Sequence, residues 1–132
     1  MIRALRRAYL VFAVAARGIA SPPPLFFDIS VVIPCIPRHI QFLDGLFSDI
    51  RSQDKPPIEV IVALSSATAE DEARVRRRFN EVFLHNDEAV PKFTLLATNL
   101  IRDAAQNRNV AVKSCTGSVI RCLFPRAECM LG

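Results

Sequence analysis

Apolar residues between Phe26 and Phe124 follow two alternating rhythms. Phe26 to Pro34 (FFDISVVIP) is a β-branched, near-continuous apolar run closed by proline, the composition of a strand buried on both faces of a parallel sheet. After Pro37, Phe42, Leu43, Leu46, Phe47 and Ile50 recur at helical spacing, with Asp44, Asp49 and Arg51 on the other face. Lys55-Pro56-Pro57 ends that helix, and Ile58 to Leu64 (IEVIVAL) reads as a second buried strand. The polar turn Ser65 to Thr68 follows, and Ser66 or Thr68 is placed to cap a helix that opens on Glu70, Asp71 and Glu72. That helix turns Val75, Phe79, Val82 and Phe83 inward, and His85 to Glu88 reads as a loop.

Phe93 to Ala97 predicts a third strand. Asp103 to Ser114 predicts a helix packed through Ala104, Ala105, Val110 and Ala111. Thr116-Gly117 stops it before a fourth strand, Ser118 to Phe124. The order strand–helix, three times over, then strand predicts an α/β class, Rossmann-like three-layer unit with a mainly parallel sheet of about four strands. Ligands of such sheets bind outside the C-terminal strand ends. Those ends are Pro34 to Arg38, Leu64 to Thr68, Ala97 to Leu100 and the residues after Phe124.

The residues before this pattern behave differently. Ala8 to Ala16 is an apolar run flanked by Arg3, Arg6, Arg7 and Arg17, and Pro22-Pro23-Pro24 sets a stiff break between residues 1–25 and the domain at 26–132. A secretory signal peptide, an organelle transit peptide and a segment with no targeting role all fit this composition. The first of these implies a secretory or membrane-associated location. The run is too short for a comfortable membrane span.

Charge, divided at the same boundary, narrows the functional classes. The chain of 132 residues carries a formal charge of +4, all of it from the four leader arginines; from Asp28 onward thirteen basic and thirteen acidic side chains balance. A neutral domain argues against nucleic acid as a partner, because phosphate binding needs clustered positive charge. The basic run Arg74 to Arg78 follows Glu70 to Glu72, which reads as acid near the start and base near the end of one helix, matching its dipole. Cys35, Cys115, Cys122 and Cys129 show neither a CxxC pair nor zinc-ligand spacing and read as buried thiols, with one bridge among the last three left open for a secreted chain. No G-x-G-x-x-G follows the first strand and no serine sits in a G-x-S-x-G elbow, so a dinucleotide dehydrogenase and a serine hydrolase are both disfavoured. His39 and His85 read as loop or surface residues.

Four segments taken together resemble the family-2-like glycosyltransferases of the GT-A fold. They are Ile29 to Pro34 (ISVVIP), Asp49 to Gln53 (DIRSQ), Glu59 to Val62 (EVIV), and Ala105 to Ala111 (AQNRNVA) followed by Thr116-Gly117 and a strand. The resemblance covers roughly Ile29 to Leu123. It implies a nucleotide-diphosphate-sugar site at the strand ends. Pro34, Cys35 and Arg38 would lie along base and ribose, Ser65 would approach the base, and Arg108 and Asn109 would lie near the diphosphate and sugar, where a guanidinium fork suits phosphate oxygens. It also implies a divalent cation, manganese or magnesium, on paired acids after the fourth strand.

Two departures qualify this. Leu64-Ser65 stands where many relatives have acidic residues. Aligned without a gap, Phe124 and Arg126 occupy the Asp-x-Asp positions; a two-residue slip leaves Glu128 as the one metal candidate. The acceptor half and its catalytic base have no sequence to occupy. The expectation is therefore a partial GT-A unit, incomplete at its C-terminus, that binds a nucleotide sugar without a complete catalytic apparatus, as a truncated or frame-shifted product would. The alternative from another class is a non-enzymatic α/β binding or scaffold domain in the secretory pathway or at a membrane.

Overall fold

The structure, a computed structural model, describes residues 10–12, 28–84 and 90–125. Most of the N-terminal segment with its proline break, His85, Arg126, Glu128 and Cys129 lie outside the described residues.

Among the described residues five strands form one sheet: β1 (Leu10–Phe12), β2 (Ile29–Cys35), β3 (Glu59–Leu64), β4 (Lys92–Ala97) and β5 (Val119–Cys122), in the spatial order β1-β5-β2-β3-β4. The four strands from β2 to β5 are mutually parallel. The chain is thus α/β with a partial Rossmann-like unit at its heart. β1 was not expected as a strand. It comes from the N-terminal apolar run and pairs antiparallel with β5, Leu10 opposite Cys122 and Phe12 opposite Ile120.

The connections distribute three helices over two faces. A 3₁₀ turn at Pro37–Phe42 leads into α1 (Leu43–Arg51), α2 (Ala69–Phe83) joins β3 to β4, and α3 (Ala104–Val112) returns the chain from β4 to β5. Pro37 opens the 3₁₀ turn because its fixed φ suits a helical first turn and its missing N–H costs nothing there. Alternate residues of the strands divide between two cores. Val31, Ile33 and Cys35 of β2 with Val60, Val62 and Leu64 of β3 meet α1 and α2 on one face. Val32, Ile61 and Ala63 meet Ala111 of α3 on the other.

The larger core is aromatic where α1, α2 and β4 converge. Phe79 stacks on Phe93 at 4.1 Å between centroids and on Phe83 at 4.4 Å, and Phe47 meets Phe79 edge-on at 5.5 Å. Such pairs add roughly 0.5–1.5 kcal/mol each to the burial of their area.

α2 begins at Thr68, whose hydroxyl accepts the Asp71 N–H at 3.2 Å while the Asp71 carboxylate accepts the Thr68 N–H at 3.0 Å. Ser66 takes no capping role; it sits at φ 55°, the left-handed region, directly after β3. The basic run does not complement the dipole of α2 as expected. The helix continues to Phe83 with no basic residue in its last turn, so Arg74 to Arg78 lie mid-helix. There Arg74 pairs with Asp71 at 3.3 Å and Arg78 with Asp44 of α1 at 2.5 Å.

The N-terminal edge of the sheet is tied by a buried carboxylate. Glu59 Oε2 accepts hydrogen bonds from the Ser30 hydroxyl (2.5 Å), the Thr116 N–H (2.6 Å) and the Thr116 hydroxyl (3.0 Å). The Gly117 N–H in turn donates to Ser30 Oγ at 2.9 Å. A Cβ at Gly117 would lie 2.5 Å from the Asp28 carbonyl oxygen, so the turn approaches β2 as closely as only glycine permits.

Candidate functional site

Strand order reverses direction once in the parallel part of the sheet. From β2 the chain steps outward to β3 and then β4, before α3 carries it back to β5 on the opposite side of β2. The crevice at the C-terminal ends of β2 and β5 is therefore the topological switch point, the place where open α/β sheets leave room for a ligand. A cleft of about 550 Å³ lies there. That volume is within the range of small-molecule sites, roughly 300–1,000 Å³.

Its walls come from four places in the chain. The end of β2 contributes Pro34, Cys35 and Ile36, and the 3₁₀ turn contributes His39 and Phe42. Arg102, Asp103, Ala104 and Asn107 come from the start of α3, and Phe124 and Pro125 follow β5. The lining is mostly apolar, with a cation, a carboxylate and a buried amide at the α3 end.

That end is held firmly. The Asp103 carboxylate accepts the Gln106 N–H at 2.7 Å, and the Gln106 side chain accepts the Asp103 N–H at 2.9 Å, a capping box that starts α3 at a defined point. One turn on, Asn107 is 1% exposed. Its Nδ2 donates to Ser65 Oγ at 2.9 Å and to the Cys35 carbonyl at 3.4 Å, joining α3 to the ends of both β3 and β2. Ser65 completes the tie by donating to the Arg102 carbonyl at 3.4 Å. Asn107 Oδ1 has no partner among the described residues.

The expected site residues are brought together only in part. Pro34 and Cys35 line the cleft. Burial pushes the Cys35 thiol up to about 12, and it donates to the Ile36 carbonyl at 3.4 Å, so it meets the cleft as a neutral wall. Arg38 is exposed on the 3₁₀ turn, outside the cleft lining. Ser65 is fully buried beneath the site and spends its hydroxyl on Asn107 and Arg102. Arg108 and Asn109 are exposed and bond to each other, Nη2 to Oδ1 at 3.3 Å. Successive helical residues turn by roughly 100°, so once Asn107 faces the sheet its two successors must leave that face. Arg108 instead lies toward β5, where its charge partly offsets the burial that raises the Cys122 thiol.

Ile36 and Pro125 fall within the strand ends expected to meet a ligand, and Phe124 at the position expected for an acid; Phe42, Arg102, Asp103 and Asn107 were not singled out as site residues from sequence. His39, read as a surface residue, is half-buried in the wall, and burial together with the Arg38 charge holds its imidazole below the ordinary range. One available signal was the spacing of Asn107 and Ala111, four apart and both buried. Ala104 and Ala105, expected in the packing face, are exposed.

Among the described residues no three or more of His, Cys, Asp and Glu gather where a metal ion could be held. Asp103 is the cleft's one described carboxylate and is engaged in the cap, and Glu128 lies outside the described residues. The described groups of the cleft do not fit a divalent cation. No protein-family model matches the chain, and no curated protein or solved structure matches it either. No helix among the described residues is long and apolar enough to cross a membrane.

Proposed function

We propose that this chain binds a nucleoside-diphosphate sugar in the switch-point cleft, as a glycosyltransferase-like domain whose catalytic apparatus is incomplete. The observation that carries the reading is the coincidence of cleft and topology. The largest wall segments come from the end of the first parallel strand and the start of the helix that precedes the fourth, at the one crevice the strand order leaves open. Aromatic and prolyl walls at His39, Phe42, Phe124 and Pro125 suit a flat base, and Arg102 supplies a cation for phosphate.

Incompleteness is supported by Phe124. It stands where the ungapped alignment with the resembled family requires an acid, and it contributes an apolar wall instead. The chain's residues bind and orient in this reading; none is assigned to bond breaking.

Calorimetric titration of the intact chain with UDP and GDP, each with and without manganese, tests it. Binding in the micromolar range is expected. A folded chain that binds neither nucleotide would overturn the reading and favour a non-enzymatic scaffold. Binding strengthened by manganese would assign a cation to residues beyond those described, Glu128 first among them.

A further inference from the structure

We infer that Arg102, and not Arg108, receives the phosphates of the bound ligand, which orients a nucleoside diphosphate with its phosphates at the start of α3 and its base toward Phe42 and Phe124. The inference rests on the nucleotide reading above. Arg102 is the only arginine in the wall of the cleft among the described residues. Its guanidinium makes no hydrogen bond or ion pair among them, whereas Arg74 and Arg78 are already paired with aspartates. Arg108 carries the same charge, but it is exposed, outside the lining and bonded to Asn109.

The backbone that carries Arg102 is unusually well anchored for a loop. Ala67 N–H donates to the Thr98 carbonyl at 3.0 Å, Ser66 N–H to the Leu100 carbonyl at 2.8 Å, and the Ser65 hydroxyl to the Arg102 carbonyl at 3.4 Å. Three consecutive residues after β3 thus hold alternate carbonyls of the segment before α3. A cation fixed in this way loses less freedom on meeting a ligand than one on a free loop. The start of α3 adds the positive end of a nine-residue helix beside it.

One group opposes the anion. Asp103 follows Arg102 directly, and its carboxylate lines the same end of the cleft while it caps α3. The net attraction for phosphate is the difference between the two, so removing either charge moves affinity in opposite directions. Asparagine caps a helix about as well as aspartate, which allows the negative charge to be deleted without the cap.

The test is titration of the intact chain with UDP in EDTA, comparing the parent with Arg102→Gln, Arg108→Gln and Asp103→Asn, and with uridine as the phosphate-free probe followed by chemical-shift changes. Both arginine variants lose one positive charge, so the net charge changes equally and the difference reports what is local to the cleft. Arg102→Gln is expected to weaken UDP binding roughly tenfold to a hundredfold, the scale of a charge-assisted contact. It should leave uridine within about twofold, with Arg102→Lys falling in between on UDP. Arg108→Gln should change neither probe by more than about twofold, and Asp103→Asn should tighten UDP about two- to fivefold. A loss with Arg108→Gln equal to or greater than that with Arg102→Gln, or equal losses for UDP and uridine, overturns the assignment while leaving the nucleotide reading intact. A parent chain that binds neither UDP nor GDP overturns both.

Discussion

Asn107 shows how a single side chain can set both packing and site. Its amide spans α3, β2 and β3, and it occupies a position on α3 where an aliphatic residue would fill the space but leave the Cys35 carbonyl and Ser65 hydroxyl with fewer partners. Glu59 does the same at the opposite end of the sheet. Burial pushes its carboxyl up, but hydrogen bonds from Ser30 and from the Thr116 N–H and hydroxyl, with the Lys92 charge, outweigh this and hold it below the ordinary value. A carboxyl whose folded value is depressed stabilises the fold at neutral pH, and that contribution disappears as pH falls from about 4.5 through the folded value. Denaturant unfolding at pH 7, 5, 4 and 3 should therefore show stability falling below pH 5, and Glu59→Gln should be less stable at pH 7 and flatter with pH. A parent and variant with parallel pH profiles would remove Glu59 from this role.

The elements are stabilised by local signals that agree with the tertiary arrangement. Both long connections to helices end in capping boxes, Thr68 with Asp71 and Asp103 with Gln106. Thr68→Ala should cost about 1 kcal/mol in urea unfolding, because one N–H at the start of α2 loses its acceptor. An unchanged midpoint would mean that packing of Val75, Phe79 and Phe83 alone sets the helix start. The two caps were unequal in the sequence. Thr68 stood beside a rival cap in Ser66, and only the backbone decided between them, since Ser66 is left-handed and cannot open a helix. α3 was legible as a helix and Ala111 does pack, yet Ala104 and Ala105 do not and Asn107 does, because hydrophobic periodicity counts alanines and does not register an asparagine that finds buried partners.

For the whole molecule, sheet order matters more than the individual elements. Returning from β4 to β5 beside β2 places α3, alone among the described helices, on one face and opens the crevice that the cleft occupies. It also leaves β5 at one edge of the parallel strands, and β1 pairs along its outer side. An uncovered strand edge is a template for association. Removing residues 1–25 should therefore increase self-association in size-exclusion chromatography and lower the unfolding midpoint relative to the intact chain. Identical elution and stability would mean that β1 contributes nothing to the folded unit.

The strands and helices from β2 to β5, and the parallel α/β class, were written in the sequence, because buried strands and amphipathic helices must repeat apolar residues at the periods of their own geometry. The Glu59–Thr116–Gly117 tie was visible only as two separated segments of a family-like pattern, with nothing to say that they meet. The cleft was legible only in part, at the end of β2 and after β5, and not as a set of residues. It is assembled from four stretches between Pro34 and Pro125 that carry no shared period, and which side chains face it follows from the strand order and the rotation of α3. Arg108 and Arg102 are equally basic in one dimension. The turn of α3, set by the burial of Asn107, leaves the first exposed, while the loop that Ser65 to Ala67 hold before α3 places the second in the wall of the cleft.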